Sequence, residues 1–238
     1  MHEGRGDLPG LIADLRSGTA AGVPVHEFVL LLQEAIDGGA HDVAAFANSD
    51  NLAAFFSPIR RTSRGMSGNA IVSSRPLMMP SVIDLPRERQ PRAAASAAID
   101  VYATRILVVD AHFENRVSWR RGGLFSESAR ARQADALLRA IPGDGAVIVG
   151  GDFNTWLGPN EPAWRRLAAR FPDTPGPPFA PTFRDRLILD HLFFDIPDGW
   201  RVVRMVARDG YGSDHRPVIG VISCASCAPS APSQRTSP

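Results

Sequence analysis

Lysine is missing from this sequence of 238 residues: all 26 basic side chains are arginine, set against 25 Asp and Glu for a formal charge of +1. Near-balanced charge excludes a global electrostatic pull toward nucleic acid or an anionic membrane, so polyanion binding has to come from a local patch. Cysteine is almost as scarce. Cys224 and Cys227 open the run SCASCAPSAPSQRTSP and are too few for a disulfide framework or a closed four-ligand zinc site. That run leads into Pro and Ser rather than into a redox helix, so the pair reads as incidental thiols in a frayed tail. No stretch approaches the ~18 apolar residues of a membrane span, and residues 1–25 lack a signal peptide's basic start, apolar middle and small-residue cleavage site. The expectation is a soluble chain without an integral membrane segment, cytoplasmic by default.

Hydrophobic residues make up 44% of the chain, with 20 Pro and 21 Gly. Disorder needs fewer apolar residues and a coiled coil needs less Pro and Gly, so one domain over 1–222 with a Pro/Ser-rich tail over 223–238 is expected. Helical spacing of Leu8, Leu11, Ile12 and Leu15 after Asp7 predicts an opening helix. Phe28 to Leu32 is a continuous apolar run, read as a strand buried on both faces and ending in Gln33-Glu34. Short β-like runs follow near 69–73, 77–84, 95–102 and 105–111, then an amphipathic helix from Ser126 closed by Pro142-Gly143. Ala146 to Val149 is a second buried strand, ending in Gly150-Gly151-Asp152, and further strands are expected over 187–194, 200–206 and 217–222. Residues 161–171 give one more helix. The alternation points to an α/β domain of packed mixed sheets.

Several of these strands run into acids: Glu34, Asp152 and Asp190, with Asp214-His215 just before the last strand. One acid at a strand end is ordinary. Several at one edge of a domain concentrate negative charge unless a cation sits among them, and Mg²⁺ suits such a place because it prefers oxygen ligands and bridges carboxylates to phosphate.

The ordered patches LLLQEA (30–35), GNAIVSS (68–74), VVDAHFEN (108–115), GGDFNTW (150–156), TFRDRLILDHLFF (182–194) and GSDHRPV (212–218) carry a resemblance. Their order and spacing resemble the endonuclease/exonuclease/phosphatase superfamily, the deoxyribonuclease I-like fold, over roughly residues 8–222. The resemblance implies a four-layer sandwich, two face-to-face mixed sheets flanked by helices, with the active site at one end. It further implies Glu34 as a ligand of Mg²⁺ or Mn²⁺, with Asp214 beside the cation. Asp152 would position and deprotonate the attacking water, Asn154 would bond the scissile phosphate, and Asp190 would orient His215 opposite the metal. His112 matches a histidine that contacts phosphate or protonates the leaving oxygen. Each of these residues also has a bland reading, as a solvated strand end or an Asx turn.

For substrate, Asn69 belongs to the GNAIVSS patch, while Arg60, Arg61 and Arg64 stand beside Phe55 and Phe56 in a segment read as a loop over 55–66. With Trp119 and Arg120-Arg121 they fit single-stranded or extruded nucleotides, lipid headgroups, or an ordinary solvated face. The expectation is a monomeric, metal-dependent phosphoesterase acting on a phosphoester, nucleic acid among the possibilities. The alternatives are a sphingomyelinase-like phospholipid phosphodiesterase and a truncated, inactive phosphoester-binding module. The second arises because Met1-His2-Glu3-Gly4 resembles the turn that follows the family's first strand, which places that strand, and the Asn ending it, upstream of residue 1.

Overall fold

The apolar runs alternate between two destinations, and that alternation builds four layers. A computed structural model describes residues 4–115, 126–176, 180–225 and 227. In β1 (Val29–Asp37), Leu30 and Leu32 pack outward under helices α1 (Leu8–Ser17) and α2 (Val43–Ser49), whereas Val29 and Leu31 point to the centre. The same division splits β6 (Thr104–His112): Ile106 and Val108 face the centre, and Val109 and Ala111 face α3 (Glu127–Ala140) and α4 (Pro162–Arg170). Two sheets therefore meet face to face with helices outside, the sandwich expected. Buried faces on both sides explain why these strands read as unbroken apolar runs.

One sheet has the order β1-β3-β2, all antiparallel, with β2 (Ala53–Thr62) and β3 (Gly65–Ser73) joined as a hairpin. The other has five strands in the order β4-β5-β6-β7-β8, formed by Met78–Leu85, Arg92–Val101, β6, Ala146–Asp152 and Asp190–Asp195. Only β6 and β7 in this sheet are parallel, joined by the crossover that contains α3. A separate antiparallel pair, β9 (Trp200–Val206) and β10 (Val218–Cys224), completes the described strands.

The opening helix forms as its sequence dictates. Asp7 caps it by accepting from the Gly10 N–H at 2.9 Å, Pro9 sits in the first turn, and Gly18 ends it with φ +89°.

Three expectations need correction. Residues 53–62 are a strand, not a loop; Pro58 sits where β2 shifts register against β3, which is where a sheet tolerates proline. Glu34 does not end its strand: β1 continues to Asp37 past an irregularity between Leu32 and Ala35. Cys224 and Cys227 form a disulfide with Cα atoms 5.3 Å apart, and Cys224 is the buried last residue of β10, opposite Trp200, rather than part of a frayed tail. Trp119, Arg120 and Arg121 lie outside the described residues.

Between β1 and β10 runs an apolar slot of about 540 Å³. Residues 25–33 and 216–222 form its banks, Ile99, Ile106, Val108 and Ile148 its floor, and Leu8, Leu11 and Leu15 its roof. Among the described strands β1 pairs with β3 and β10 with β9, so both banks are strand edges. An extended segment laid in the slot would have a pairing edge on either side and apolar side chains above and below.

Candidate active site

Three neighbouring strands deliver their functional residues to the same end of the five-stranded sheet. β6 ends at His112 and β7 at Asp152, and register places these two side by side. β8 runs the other way, so its first residue, Asp190, lies opposite Asp152. The two glycines before Asp152 permit this crowding. A Cβ on Gly150 would lie 2.5 Å from a Leu192 methyl carbon, and one on Gly151, whose φ is +143°, would lie 1.9 Å from the Ala111 carbonyl oxygen.

Asn154, at φ +50°, folds the chain back over Asp152. Its N–H donates to Asp152 Oδ1 at 2.9 Å, and its Nδ2 donates to Asp152 Oδ2 and to the Phe113 carbonyl, both at 3.2 Å. Asp152 is thus held rigidly while its second oxygen stands 3.5 Å from His112 Nε2. His215 enters from the loop before β10, located by a β-bridge to Phe183, and its ring packs on Phe183 with centroids 4.7 Å apart. Its Nδ1 meets Asp190 Oδ2 at 2.8 Å. Ligand-capable atoms of Asp152, Asp190 and His215 all lie within 4.8 Å of one another.

The charges follow from this crowding. Burial, then the neighbouring Asp190 charge, pushes the Asp152 carboxyl up to about 7, against the opposing pull of His215, the Asn154 N–H and Arg92. Burial alone would depress His215, yet its bond to Asp190 and the charges of Asp190, Asp152 and Asp214 carry it up to about 9. His112 moves the other way: burial first, then the charges of Arg92 and His215, hold it well below its ordinary range, so it is a neutral imidazole. One cationic and one neutral imidazole therefore flank Asp152.

Glu34 stands across His112 from this cluster. It occupies the irregular step of β1 at φ +55°, and Gln33 beside it reaches across to the buried Asp110. Glu34 lines a small hollow with Arg60, Asn69, Arg92 and His112. Asn69 is fully buried, and its Nδ2 donates to the carbonyls of Ala93 at 3.0 Å and Asp110 at 3.3 Å. Arg64 lies in the β2–β3 turn, where its N–H meets Thr62 Oγ1 at 3.2 Å. Asp214 accepts from Arg184 at 3.4 Å, and its charge acts on His215.

Sequence reasoning missed Arg92, which opens β5 and is 9% exposed amid the acids of the site. A lone Arg heading the otherwise small and apolar run AAASAAI was the available signal. His191 lies next to Asp190 but points into the core, with Nε2 2.7 Å from Thr155 Oγ1.

A family model described as the endonuclease/exonuclease/phosphatase family matches residues 6–215. Among solved structures, an endonuclease/exonuclease/phosphatase protein from Beutenbergia cavernae is similar with a TM-score of 0.69 at 18% identity, over 94% of this chain and 69% of that one. The human Nocturnin catalytic domain with bound sulfate is similar at 0.64 and 19%, over 82% and 80% of the two chains. Sphingomyelinase C from Streptomyces griseocarneus follows at 0.57 and 20%, over 89% and 91%. A search of curated protein sequences gave no match. The structural likenesses, all at or below 20% identity, establish the fold, and the family model spans most of the chain. With its four-layer sandwich and its acid and imidazole cluster at one sheet end, this chain belongs to the endonuclease/exonuclease/phosphatase family, a family of divalent-metal-dependent phosphoester hydrolases.

Proposed function

We propose that this chain is a phosphodiesterase of the nuclease kind, hydrolysing its substrate by direct attack of water. The observation that carries the proposal is the buried Asp152, fixed at both oxygens by Asn154 and set between the Asp190–His215 pair and the neutral His112. A buried carboxyl raised to about 7 in the metal-free protein suits a group that takes a proton from water. As the water oxygen bonds to phosphorus its proton passes to Asp152, and as the bond to the leaving oxygen breaks, the imidazolium of His215 supplies the proton that oxygen needs. Asp190 keeps that imidazole charged and oriented. His112, buried and neutral, is placed to donate to a phosphoryl oxygen.

The donor set suits a hard cation. Asp152 and Asp190 are carboxylates crowded closely enough for the charge of one to raise the pKa of the other, a repulsion that a divalent ion relieves. Asp152 and Asp190, with Glu34 across His112 and Asp214 near His215, are the oxygen donors available to hold Mg²⁺ or Mn²⁺. Such an ion supplies charge compensation on the phosphoryl group and a more acidic water.

Hydrolysis of bis(p-nitrophenyl) phosphate with Mg²⁺ or Mn²⁺, and its loss in EDTA, tests the reading; Asp152→Asn should lower kcat by roughly 10²- to 10⁴-fold. Equal rates for the wild type and Asp152→Asn, or no turnover of this ester, DNA, RNA or sphingomyelin with either metal, would overturn it. Sphingomyelin belongs in the panel because a sphingomyelinase C shares the fold.

A further inference from the structure

Arg92 combines near-complete burial with an idle donor edge. It is 9% exposed, and its Nε and Nη2, the two nitrogens that form the bidentate side of a guanidinium, have no hydrogen-bond partner among the described residues. The acids whose charges act on it are Asp152, Glu114 and Glu34. Glu114 accepts from the N–H groups of Arg89 and Gln90, each at 3.0 Å, and Asp152 from Asn154, so these bonds leave that edge unused. Neutralising neighbours does not require a desolvated edge without partners, and a buried arginine left so beside a hollow calls for an explanation that a bound ligand supplies.

Next to Arg92 lies the hollow it shares with Glu34, Arg60, Asn69 and His112. Its volume of about 20 Å³ suits one water-sized group. A single oxygen fits there, whereas a base, a sugar or an acyl chain does not. With Arg60 and Arg92 lining the hollow against the one carboxylate of Glu34, the balance of charge favours an anionic oxygen.

We infer that Arg92 is the receptor for one non-bridging oxygen of the substrate's phosphoryl group, bound at the hollow between Glu34 and His112 that Arg92 lines. The assignment rests on the phosphoester reading of the site and adds the group that locates the phosphate against Asp152. It also explains why an arginine heads a strand otherwise built of small apolar residues.

The test separates a receptor from a charge that merely balances acids. Binding of inorganic phosphate to the metal-free protein in EDTA is followed by ³¹P line broadening and calorimetry, alongside thermal unfolding. Arg92→Lys keeps the positive charge and loses the fork, so receptor action predicts phosphate affinity down at least tenfold with an unchanged Tm. Arg92→Gln should bind at least as weakly. In turnover, Arg92→Lys should raise KM with a smaller change in kcat. Wild-type phosphate affinity in a folded Arg92→Lys protein overturns the inference, as does the absence of phosphate binding by the wild type. If Arg92→Gln does not fold, Arg92→Lys alone decides. Arg92-dependent phosphate binding without hydrolysis of any ester would refute the catalytic reading and leave the receptor in place.

Discussion

Glu34 holds a backbone conformation that L side chains adopt at a cost. Its φ of +55° falls in the left-handed region, where an isolated non-glycine residue is strained by about 1 kcal/mol or more. Glu34→Gly should therefore raise the thermal stability of the metal-free protein by about 1 kcal/mol while abolishing the rise in Tm that Mn²⁺ gives the wild type. Equal Mn²⁺ stabilisation of both proteins would remove Glu34 from the proposed ligand set. His215 supplies a second prediction, in EDTA. Its folded-state pKa of about 9 exceeds the 6.5 of an unperturbed imidazole, so the native state holds this proton more tightly than the unfolded chain. The resulting stabilisation is complete below about pH 6.5 and is lost as pH rises through about 9, amounting to roughly 3 kcal/mol. Asp190→Asn should flatten that stretch of the stability curve, measured by urea unfolding between pH 6 and 10. Asp152, Asn154, Asp190 and His215 were visible in the sequence because short motifs carry them. Arg92 was not, since the acids whose charges act on it stand up to 60 positions away in the chain, Asp152 among them.

Strand-level features were legible wherever burial was two-sided. The runs around β1, β6 and β7 announced themselves as continuous apolar stretches. β2 did not, because Pro58, Arg60 and Arg61 interrupt its pattern; its pairing is imposed by β3, whose residues from Ser67 to Ser73 are all buried. The step at Glu34 was equally hidden, since it depends on the match between β1 and β3 rather than on either sequence alone. The β6–β7 pair is where element geometry and chemistry coincide, for its register sets His112 beside Asp152. Gly151→Ala places a methyl group against the Ala111 carbonyl and should destabilise the fold by on the order of 3 kcal/mol, with loss of any activity. An unchanged urea midpoint for that variant would show that the strands do not approach as described.

At the scale of the whole molecule, one sheet is interrupted. The five-stranded sheet carries paired neighbours on both sides of β5, β6 and β7, whereas β1 and β10 each present an unpaired edge to the slot between them. Amide hydrogens of β1 and β10 that point into the slot should therefore exchange orders of magnitude faster than those of β6, by mass spectrometry or NMR; uniform protection across both sheets would contradict the described pairing. The order of patches revealed the sandwich, but the depth of this gap emerges only when edges, floor and roof are seen together. The gap also separates the site's two shores. Glu34 rides on the β1 side and His215 on the β10 side, and among the described residues no ladder ties one to the other. What spans them is a short strap: the Gly4 N–H reaches the Glu34 carbonyl at 3.1 Å and the Asp7 N–H reaches that of Tyr211 at 2.7 Å. Four residues of backbone thus bridge the two shores of the candidate site, so a deletion at Gly4–Asp7 should alter the width between Glu34 and His215 without touching either residue.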